Sequence, residues 1–309
     1  MLYIVKTALE LGFLYALVPM ALFLSYRVLD VADLTTDGCF VTGAAVSVVV
    51  AQAGHPILAF PMAIIAGAMA GFVTAFLHTK LKVPSILAGI ITNTGLYTIN
   101  LMIMGWSANV SLLKTPTVFS MLKATGIGGN LYQMLLAGSV TILVAVLLML
   151  FLGTRLGLSI RATGDNIDMV RASSVNPVRT ITIGLCLANS MTALSGAMVG
   201  QYQNTVDING GTGIVVIGLA CLIIGETVLG RRSVKKGAAA AIVGSIIYRL
   251  IYAIVLYTKV VPVQGLKLLT AIVVALAIAF PAIKEWIAFQ KKKMALNSDS
   301  NSMARKGGR

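Results

Sequence analysis

Apolar stretches of about 20 residues recur along this chain, and each is long enough to cross the hydrocarbon core of a bilayer, which is about 30 Å thick. Backbone in lipid must satisfy its own hydrogen bonds, so such stretches fold as helices. Of the 309 residues, 58% are hydrophobic and 11% are charged, against about 25% charged residues in soluble domains. This composition excludes a soluble enzyme and excludes disorder. The sequence predicts an all-α, polytopic membrane protein.

Nine membrane segments are predicted, and they fill a single transmembrane domain over residues 1–290. They lie at 8–26, 40–53, 58–78, 84–104, 131–152, 181–201, 213–229, 238–257 and 267–288. The second is short and is bounded by Asp37-Gly38 and Gly54-His55-Pro56, so we expect a tilted, broken or re-entrant helix. Residues 291–309 are polar, small and basic, which predicts a disordered tail.

The charge distribution predicts an orientation. The net charge is +14, from 24 Lys and Arg against 10 Asp and Glu. Basic residues concentrate in the connections 79–83, 153–180 and 230–237 and in the tail, which fall on one side of nine spans. The positive-inside rule places that side in the cytoplasm, with the N-terminus outside and the C-terminus inside. Because the basic residues cluster in membrane connections, nucleic acid is not a predicted partner.

Catalytic and metal-binding patterns are missing from the sequence. It contains no GxxxxGK[ST] phosphate loop, no HExxH and no pair of intramembrane aspartates. The three cysteines have no CxxC spacing, and the two histidines lie in different loops. We therefore predict no catalytic residues, no metal site and no cofactor. If the chain transports actively, the energy must come from a partner or an ion gradient.

Polar side chains inside two spans form stripes. Asn93, Tyr97 and Asn100 recur at helical spacing in the fourth span, and Asn189 and Thr192 share a face of the sixth. Such stripes suit the wall of a pathway for a polar solute. They suit equally well hydrogen bonds between helices, which are worth about 0.6 kcal/mol each on average. Both interpretations stay open, and the five residues are candidates for the substrate pathway.

Two charged residues lie at or near membrane depth. Arg249 is near the middle of the eighth span, where insertion costs at least about 2.5 kcal/mol. It is a further pathway candidate, and we expect its partner to be either an interior acceptor or a substrate carboxylate. Glu226 adjoins the basic segment that contains Arg231, which predicts an interfacial ion pair.

The basic connection 153–180 contains a short helix, predicted from Asp165 to Val175. Asp165 follows Gly164 and is the predicted N-cap, Asp168 supports the first turn, and Asn176-Pro177 ends the helix. Met169, Ala172 and Ser173 share one face, and Ile167, Val170 and Ser174 share its neighbour. This apolar surface is too short to span a membrane, so we expect another protein to cover it.

Four motifs carry a resemblance to a known family. They are Tyr26-Arg-Val-Leu-Asp-Val-Ala-Asp-Leu-Thr-Thr-Asp-Gly38, Ile160-Arg-Ala-Thr-Gly-Asp-Asn166, Leu194-Ser-Gly-Ala197 and Gly218-Leu-Ala-Cys-Leu-Ile-Ile-Gly-Glu226. In combination they resemble the membrane permease subunits of ATP-binding-cassette (ABC) importers of the branched-chain amino acid and ribose type. The branch that they resemble most includes tryptophan and tyrosine importers and permeases for uncharacterised solutes.

The resemblance implies a permease subunit that forms the pathway for a small polar solute, an amino acid, in a prokaryotic cell membrane. It implies that a separate, peripheral ATPase hydrolyses ATP, so that this chain is not an enzyme. It further implies a second permease copy and an extracellular solute-binding protein. The residues implied to contact the ATPase are Gly164, Asp165, Asn166, Met169, Val170, Ala172, Ser173 and Val175. The alternative is a secondary transporter or channel that works alone.

Overall fold

The computed structural model describes residues 2–258 apart from 114, 127–128 and 231–232, with a few isolated positions beyond 258. Contacts divide the chain into Met1–Val260 and Val261–Arg309, and the description below concerns the first unit. Apart from isolated positions, the predicted ninth span at 267–288 lies outside the described residues, as does the predicted tail at 291–309.

The described residues form twelve α-helices and two short strands. In chain order they are α1 (Leu2–Tyr15), α2 (Leu17–Leu22), α3 (Thr36–Gln52), α4 (Ala59–Thr79), α5 (Ser85–Ile103), β1 (Asn109–Ser111), α6 (Val118–Ala124), α7 (Tyr132–Leu152), α8 (Arg155–Asp165), α9 (Ile167–Ala172), α10 (Pro177–Gln203), β2 (Thr205–Asp207), α11 (Ile214–Leu229) and α12 (Val234–Thr258). A π-helical turn at Phe23–Val28 continues α2.

The first predicted span falls on α1, α2 and the π-helical turn, and each of the next seven coincides with one helix. Six helical stretches in the described residues are long and apolar enough to cross a membrane: Tyr3–Val28, Ala59–Thr79, Ser85–Ile103, Tyr132–Leu152, Pro177–Gln203 and Lys236–Tyr257. Two further apolar helices, α3 and α11, are shorter. The predicted all-α membrane architecture is confirmed, whereas a total of nine segments and the orientation of the termini stay predictions.

The buried helix α10 is the centre of the bundle because glycines let its neighbours approach it closely. Gly196 of α10 lies against the Phe40 carbonyl of α3, and Gly43 of α3 lies against the Ala193 carbonyl of α10. A Cβ at either glycine would overlap these backbone atoms. Small residues of this kind are the usual means by which membrane helices pack.

The two shorter helices, α3 and α11, both begin in the middle of the bundle. Cys39, in the first turn of α3, donates a hydrogen bond from Sγ to the Asn189 carbonyl (3.2 Å), and Asn189 is near the midpoint of α10. The Asp37 carboxylate, two residues earlier in the same turn, accepts hydrogen bonds from the first backbone amides of α11. The chain therefore reaches both helix starts through non-helical segments, 29–35 and 208–213.

The bundle has two distinct ends. At one end β1 and β2 pair as an antiparallel ribbon, with Asn109 opposite Asp207 and Ser111 opposite Thr205; we call it the ribbon end. The other, the α8–α9 end, carries the helices of the basic connection 153–180. The predicted orientation would place the ribbon outside the cell and α8–α9 in the cytoplasm.

Candidate functional site: a polar cavity in the bundle

A polar cavity of about 310 Å³ opens between α3, α5 and the non-helical segment that precedes α11. Ligand pockets commonly have volumes of this order or larger. The cavity is lined by Asp37, Gly38, Val41, Asn93, Thr94, Tyr97, Asn100, Ile208, Asn209, Gly211 and Thr212. The structure thus brings the predicted stripe of the fourth span together with residues from two segments that the stripe did not predict.

Asp37 holds one wall of the cavity in place. Its Oδ2 accepts a hydrogen bond from the Gly213 amide (2.9 Å), and its Oδ1 accepts one from the Val215 amide (2.8 Å). These amides belong to the first turn of α11, where backbone donors have no partner within the helix and a negative charge is stabilised. Asp37 is therefore a capping residue for a helix almost 180 positions away, as well as the carboxylate of the cavity.

The opposite wall is the polar face of α5. Asn100 donates from Nδ2 to the Gly38 carbonyl (3.1 Å), and its buried Oδ1 has no hydrogen-bond partner among the residues that the structure describes. Asn93 lies so close to Gly38 that a Cβ there would overlap its Oδ1. Tyr97 is 48% exposed and presents its side chain to the opening. These amide and phenol groups can donate to and accept from a polar solute.

The charge of the lining is negative. Among the described residues that form it, Asp37 is the charged side chain, and the remaining polar side chains are the neutral ones of Asn93, Thr94, Tyr97, Asn100, Asn209 and Thr212. The Gly38 carbonyl is also engaged at this wall by Asn100. A cavity with a carboxylate and several neutral acceptors favours a solute that carries hydrogen-bond donors or an ammonium group over a multiply charged anion.

Asn189 and Thr192, the pathway candidates of α10, do not line this cavity. Asn189 donates from Nδ2 to Asp33 Oδ2 (2.6 Å) and to the Leu185 carbonyl (3.1 Å). Asp33 is only 4% exposed, so the amide stabilises a buried carboxylate. Thr192 donates to the Ala188 carbonyl within its own helix (3.2 Å). Both side chains face the packed interior of the bundle.

Arg249, the sixth pathway candidate, lies in a different part of the bundle. Its guanidinium stacks on the Tyr15 ring, with Cζ 3.7 Å from the ring centroid. It lines an apolar groove between α1 and α12 rather than the polar cavity. The acceptor that the sequence required for this cation is therefore an aromatic face, an interaction that strengthens when water is excluded.

The connection between α7 and α10 contains two helices, so the predicted single helix from Asp165 to Val175 is wrong in its limits. Asp165 is the last residue of α8, and α9 begins at Ile167. The N-cap is Asn166, whose Oδ1 accepts hydrogen bonds from the amides of Asp168 and Met169, both 3.0 Å. An extended Asn at the corner can cap the second helix, whereas Asp165 is already helical.

The residues implied to contact an ATPase divide into two groups in the structure. Val170 is buried, and Gly164 packs against the Val28 carbonyl, so both face the protein. Exposed at the surface are Asp165, Asn166, Met169, Ala172 and Ser173, while Val175 is half-buried. Met169 and Ala172, the two residues singled out from the helical pattern, are therefore accessible to another protein.

Sequence reasoning missed Asp37, Asn209 and Thr212 as residues of the cavity, and Asp33 as the partner of Asn189. Asp37 stood in the sequence only as the boundary of a short span and as part of a family motif. Two weak signals were present in the sequence. One is a short apolar helix that begins with an acidic residue, and the other is the Gly-rich stretch Asn209-Gly-Gly-Thr-Gly213. Both indicate irregular backbone beside a membrane helix. No local pattern joins these two segments, which are separated by more than 160 residues.

The sequence of the whole bundle matches one protein family. Residues 4–281 match the family described as the permease component of the branched-chain amino acid transport system. This chain belongs to that family. The resemblance carried by the four motifs is confirmed, and the family's members are the non-catalytic membrane subunits of ABC importers, in which a separate ATPase hydrolyses ATP.

Individual relatives agree with this assignment. The chain is 34% identical to a tyrosine transport system permease protein of Clostridioides difficile, over 84% of this chain and 85% of the relative. It is 31% identical to an uncharacterised protein of Rickettsia prowazekii, over 89% and 97% of the two chains. Together with the apolar helices, these relatives identify a multi-pass protein of the bacterial cell membrane.

A solved structure supports the fold. The PsaBC complex of Streptococcus pneumoniae with a Fab contains a chain that superposes with a TM-score of 0.54, covering 89% of each chain at 14% identity. At this identity the likeness concerns the arrangement of helices alone.

Family membership also decides between the two function classes left open by the sequence, in favour of an importer subunit over a transporter that works alone.

Proposed function

We propose that this permease carries a small polar solute, an amino acid, and that the polar cavity between α3, α5 and segment 208–213 is part of its route. The observation that carries the proposal is the cavity itself: a lining of one carboxylate, amides and hydroxyls inside an otherwise apolar bundle. Polar groups at membrane depth are costly and usually face a water-filled path or a partner. Asn93, Tyr97 and Asn100 are the residues proposed to meet the solute, with Asp37 beside them.

The chemistry of the lining supports an amino acid as the solute. An α-ammonium group can be bound by carboxylate and amide oxygens, and the Tyr97 ring offers a face for an apolar side chain or for the cation. The tyrosine transport permease that shares 34% of its residues with this chain points to the same class. Pathway roles for Asn189, Thr192 and Arg249 stay predictions, since these residues do not adjoin the cavity.

We propose further that the exposed surface of α8 and α9 binds the ATPase. Met169 is 54% exposed although it is apolar, and Ala172 and Ser173 beside it are small. Arg171 and Asp168 form an exposed ion pair at 3.2 Å on the same short helix. A surface with an adaptable methionine, small neighbours and charged flanks suits a groove on another protein.

The complete importer, in this proposal, contains two permease copies, two ATPases and an extracellular solute-binding protein. Its test begins with the tagged chain, which should co-purify with an ATPase. The complex, reconstituted with its solute-binding protein, should take up labelled L-tyrosine or another amino acid only when ATP is present. Uptake without ATP or without an associated ATPase would contradict the proposal.

The ATPase contact has its own test. Ala172→Arg should abolish uptake and release the ATPase, because a large cation replaces a small contact in the interface. The matched control is Ala124→Arg, which changes an exposed alanine of α6 near the ribbon end. If Ala172→Arg leaves association and uptake as in the control, α9 does not bind the ATPase.

The orientation is tested by thiol labelling of intact cells. Single cysteines at Asn209 and Ser233 are exposed at opposite parts of the bundle. An impermeant reagent should label the first from outside, and the second only after the membrane is opened. Labelling in the reverse order would overturn the predicted topology.

A further inference from the structure

Residues 27–37 run from the π-helical turn through the non-helical segment 29–35 into the first turn of α3, and they contact both ends of α11. Near the C-terminal end of α11, Arg27 forms a bidentate ion pair with Glu226: Nε lies 3.0 Å from Oε1, and Nη2 lies 2.8 Å from Oε2. At its N-terminal end, Asp37 caps the first turn through the amides of Gly213 and Val215. Arg27 and Asp37 lie near the two ends of one sequence motif, which runs from Tyr26 to Gly38.

The break in helix that follows Val28 fits the segment to the length of α11. The thirteen steps from Gly213 to Glu226 extend over about 20 Å at a rise of 1.5 Å per residue. The ten steps from Arg27 to Asp37 would cover only about 15 Å if they were helical. The π-helical turn and the partly extended chain after it, including Asp30 at φ 54°, let the segment match the length of α11.

The Arg27–Glu226 pair is built to hold two elements together. The Glu226 side chain is 4% exposed and the Arg27 side chain 32%. Two parallel hydrogen bonds between a guanidinium and a carboxylate fix the relative orientation of their elements as well as their separation. Leaving either charge without the other in this setting is strongly unfavourable. The pair therefore favours a permanent connection between the π-helical turn and α11.

The same segment also touches the α8–α9 end and the bundle core. Gly164 of α8 packs against the Val28 carbonyl so closely that no side chain would fit. Farther along, Asp33 accepts a hydrogen bond from Asn189 of α10, and Thr35 shares one with Thr74 of α4 (2.7 Å). A displacement of α8 therefore reaches the 27–37 segment through direct contact, as it reaches α10 through the hydrogen bond between Thr163 and Thr180 (2.8 Å).

We propose that Arg27 and Glu226 are positioning residues for transport. Together with the Asp37 cap they make α11 and the 27–37 segment a single moving body. This body receives motion at Gly164 and changes the wall of the polar cavity at Asp37. The pair stays closed throughout the cycle, in contrast to a gate that must open. The inference rests on the proposed function, because its readout is the amount of solute moved for each ATP hydrolysed.

The first test uses neutral variants in the complete importer with ATPase and solute-binding protein, with L-tyrosine as the labelled probe. Arg27→Gln and Glu226→Gln should each lower solute moved per ATP about tenfold, within the 5–150-fold range of common coupling energies. ATPase activity and ATPase association should persist. The matched control is Lys6→Gln, which removes a cation paired with Glu10 at 3.6 Å within one helix; it should leave the ratio unchanged.

Two further variants keep the test decisive if the neutral ones fold poorly. The charge swap, Arg27→Glu with Glu226→Arg, should restore at least half of the wild-type ratio. In a background with Cys186→Ala, Arg27→Cys with Glu226→Cys can be joined by a short bifunctional thiol reagent, since Cys39 and Cys221 are buried. Joining the two cysteines should raise transport above that of the unjoined variant.

The outcomes separate the two proposals. If the wild-type complex shows no ATP-dependent uptake of any amino acid, the proposed function fails. If wild type transports while the neutral variants keep the full solute-per-ATP ratio, Arg27 and Glu226 are not positioning residues. If the thiol bridge abolishes transport that the unjoined variant retains, the pair is a gate that must open, and the single moving body is overturned.

Discussion

The helices α10 and α5 carry similar polar residues, yet the structure uses them differently. In α10, 78% of the apolar stretch is buried, and Asn189 is bonded to Asp33 and to its own helix. In α5, 28% of the stretch is buried, and Asn93, Tyr97 and Asn100 line a cavity. The chemistry of a polar stripe thus depends on what packs against it.

The difference comes from the residues that lie between the stripes and their neighbours. Glycines on α10 and on the helices around it bring foreign backbone into contact, so polar groups meet protein acceptors at once. Gly95 of α5, by contrast, has open space where a Cβ would project. Where helices pack closely, the hydrogen-bonding groups of a polar side chain are used by protein partners. Where packing is loose, the same groups are available to a solute.

The largest effect is expected for Gly196→Leu, because it forces a side chain into the Phe40 carbonyl of α3. Overpacking a tight core usually costs about 1–3 kcal/mol, and more where backbone must move. We expect loss of folded, monodisperse protein in size-exclusion chromatography. Gly95→Leu is the control, and equal yields of the two variants would contradict the central role of α10.

Asn189→Leu should destabilise the bundle while leaving the cavity intact. It removes the amide that donates to the buried Asp33 carboxylate, and a hydrogen bond to a charged group is worth about 1.5–3 kcal/mol. The thermal unfolding midpoint in detergent should fall clearly. A variant that unfolds like wild type but no longer transports would return Asn189 to the solute pathway predicted from the sequence.

Tyr97→Ala should do the reverse, with normal stability and reduced uptake. The side chain is half exposed and faces the cavity, so its removal leaves packing unchanged. Uptake at low solute concentration should fall about tenfold, which corresponds to about 1.4 kcal/mol of solute interaction. Ile99→Ala on the exposed apolar side of α5 is the control; equal uptake by the two variants would argue against the cavity as a route.

The smallest effect is expected for Thr192→Val. Within the described residues its hydroxyl bonds to the Ala188 carbonyl of the same helix, and valine has nearly the same shape. Even hydrogen bonds between membrane helices average only about 0.6 kcal/mol. Unfolding and uptake should both lie near wild type, and a tenfold loss of uptake would show that Thr192 contacts solute.

The helices could be predicted from the sequence because each apolar stretch is visible in its own run of residues. The contacts between helices could not be predicted, because they join residues far apart in the sequence. In the sequence Glu226 adjoins Arg231, which lies outside the described residues, but in space it forms an ion pair with Arg27, 199 positions away. The position of Arg249 within a membrane span predicted that it needs a partner, but nothing in that span indicated that the partner would be the aromatic face of Tyr15.

The limits of short helices were also beyond the sequence pattern. Asp165 and Asn166 are both good N-caps by residue type, and only the continuation of α8 through Asp165 decides between them. Likewise, Asp37 is an ordinary first-turn acid for α3, and its second task at α11 depends on the path of segment 208–213. The second contact of such a residue can be recognised only when the positions of both partner segments in the fold are known.

The π-helical turn at Phe23–Val28 has a consequence for how this chain can change in length. Its wide turn is seen in the bond from the Leu29 amide to the Leu24 carbonyl, five residues back (3.0 Å). Deleting one residue here would restore an ordinary α-helical turn, in which the side chains within the turn take new directions around the helix axis, about 100° apart from one residue to the next. Arg27 would then point away from Glu226, and Val28 away from Gly164. Insertions and deletions should therefore be tolerated in the connections at the ribbon end long before they are tolerated in this turn.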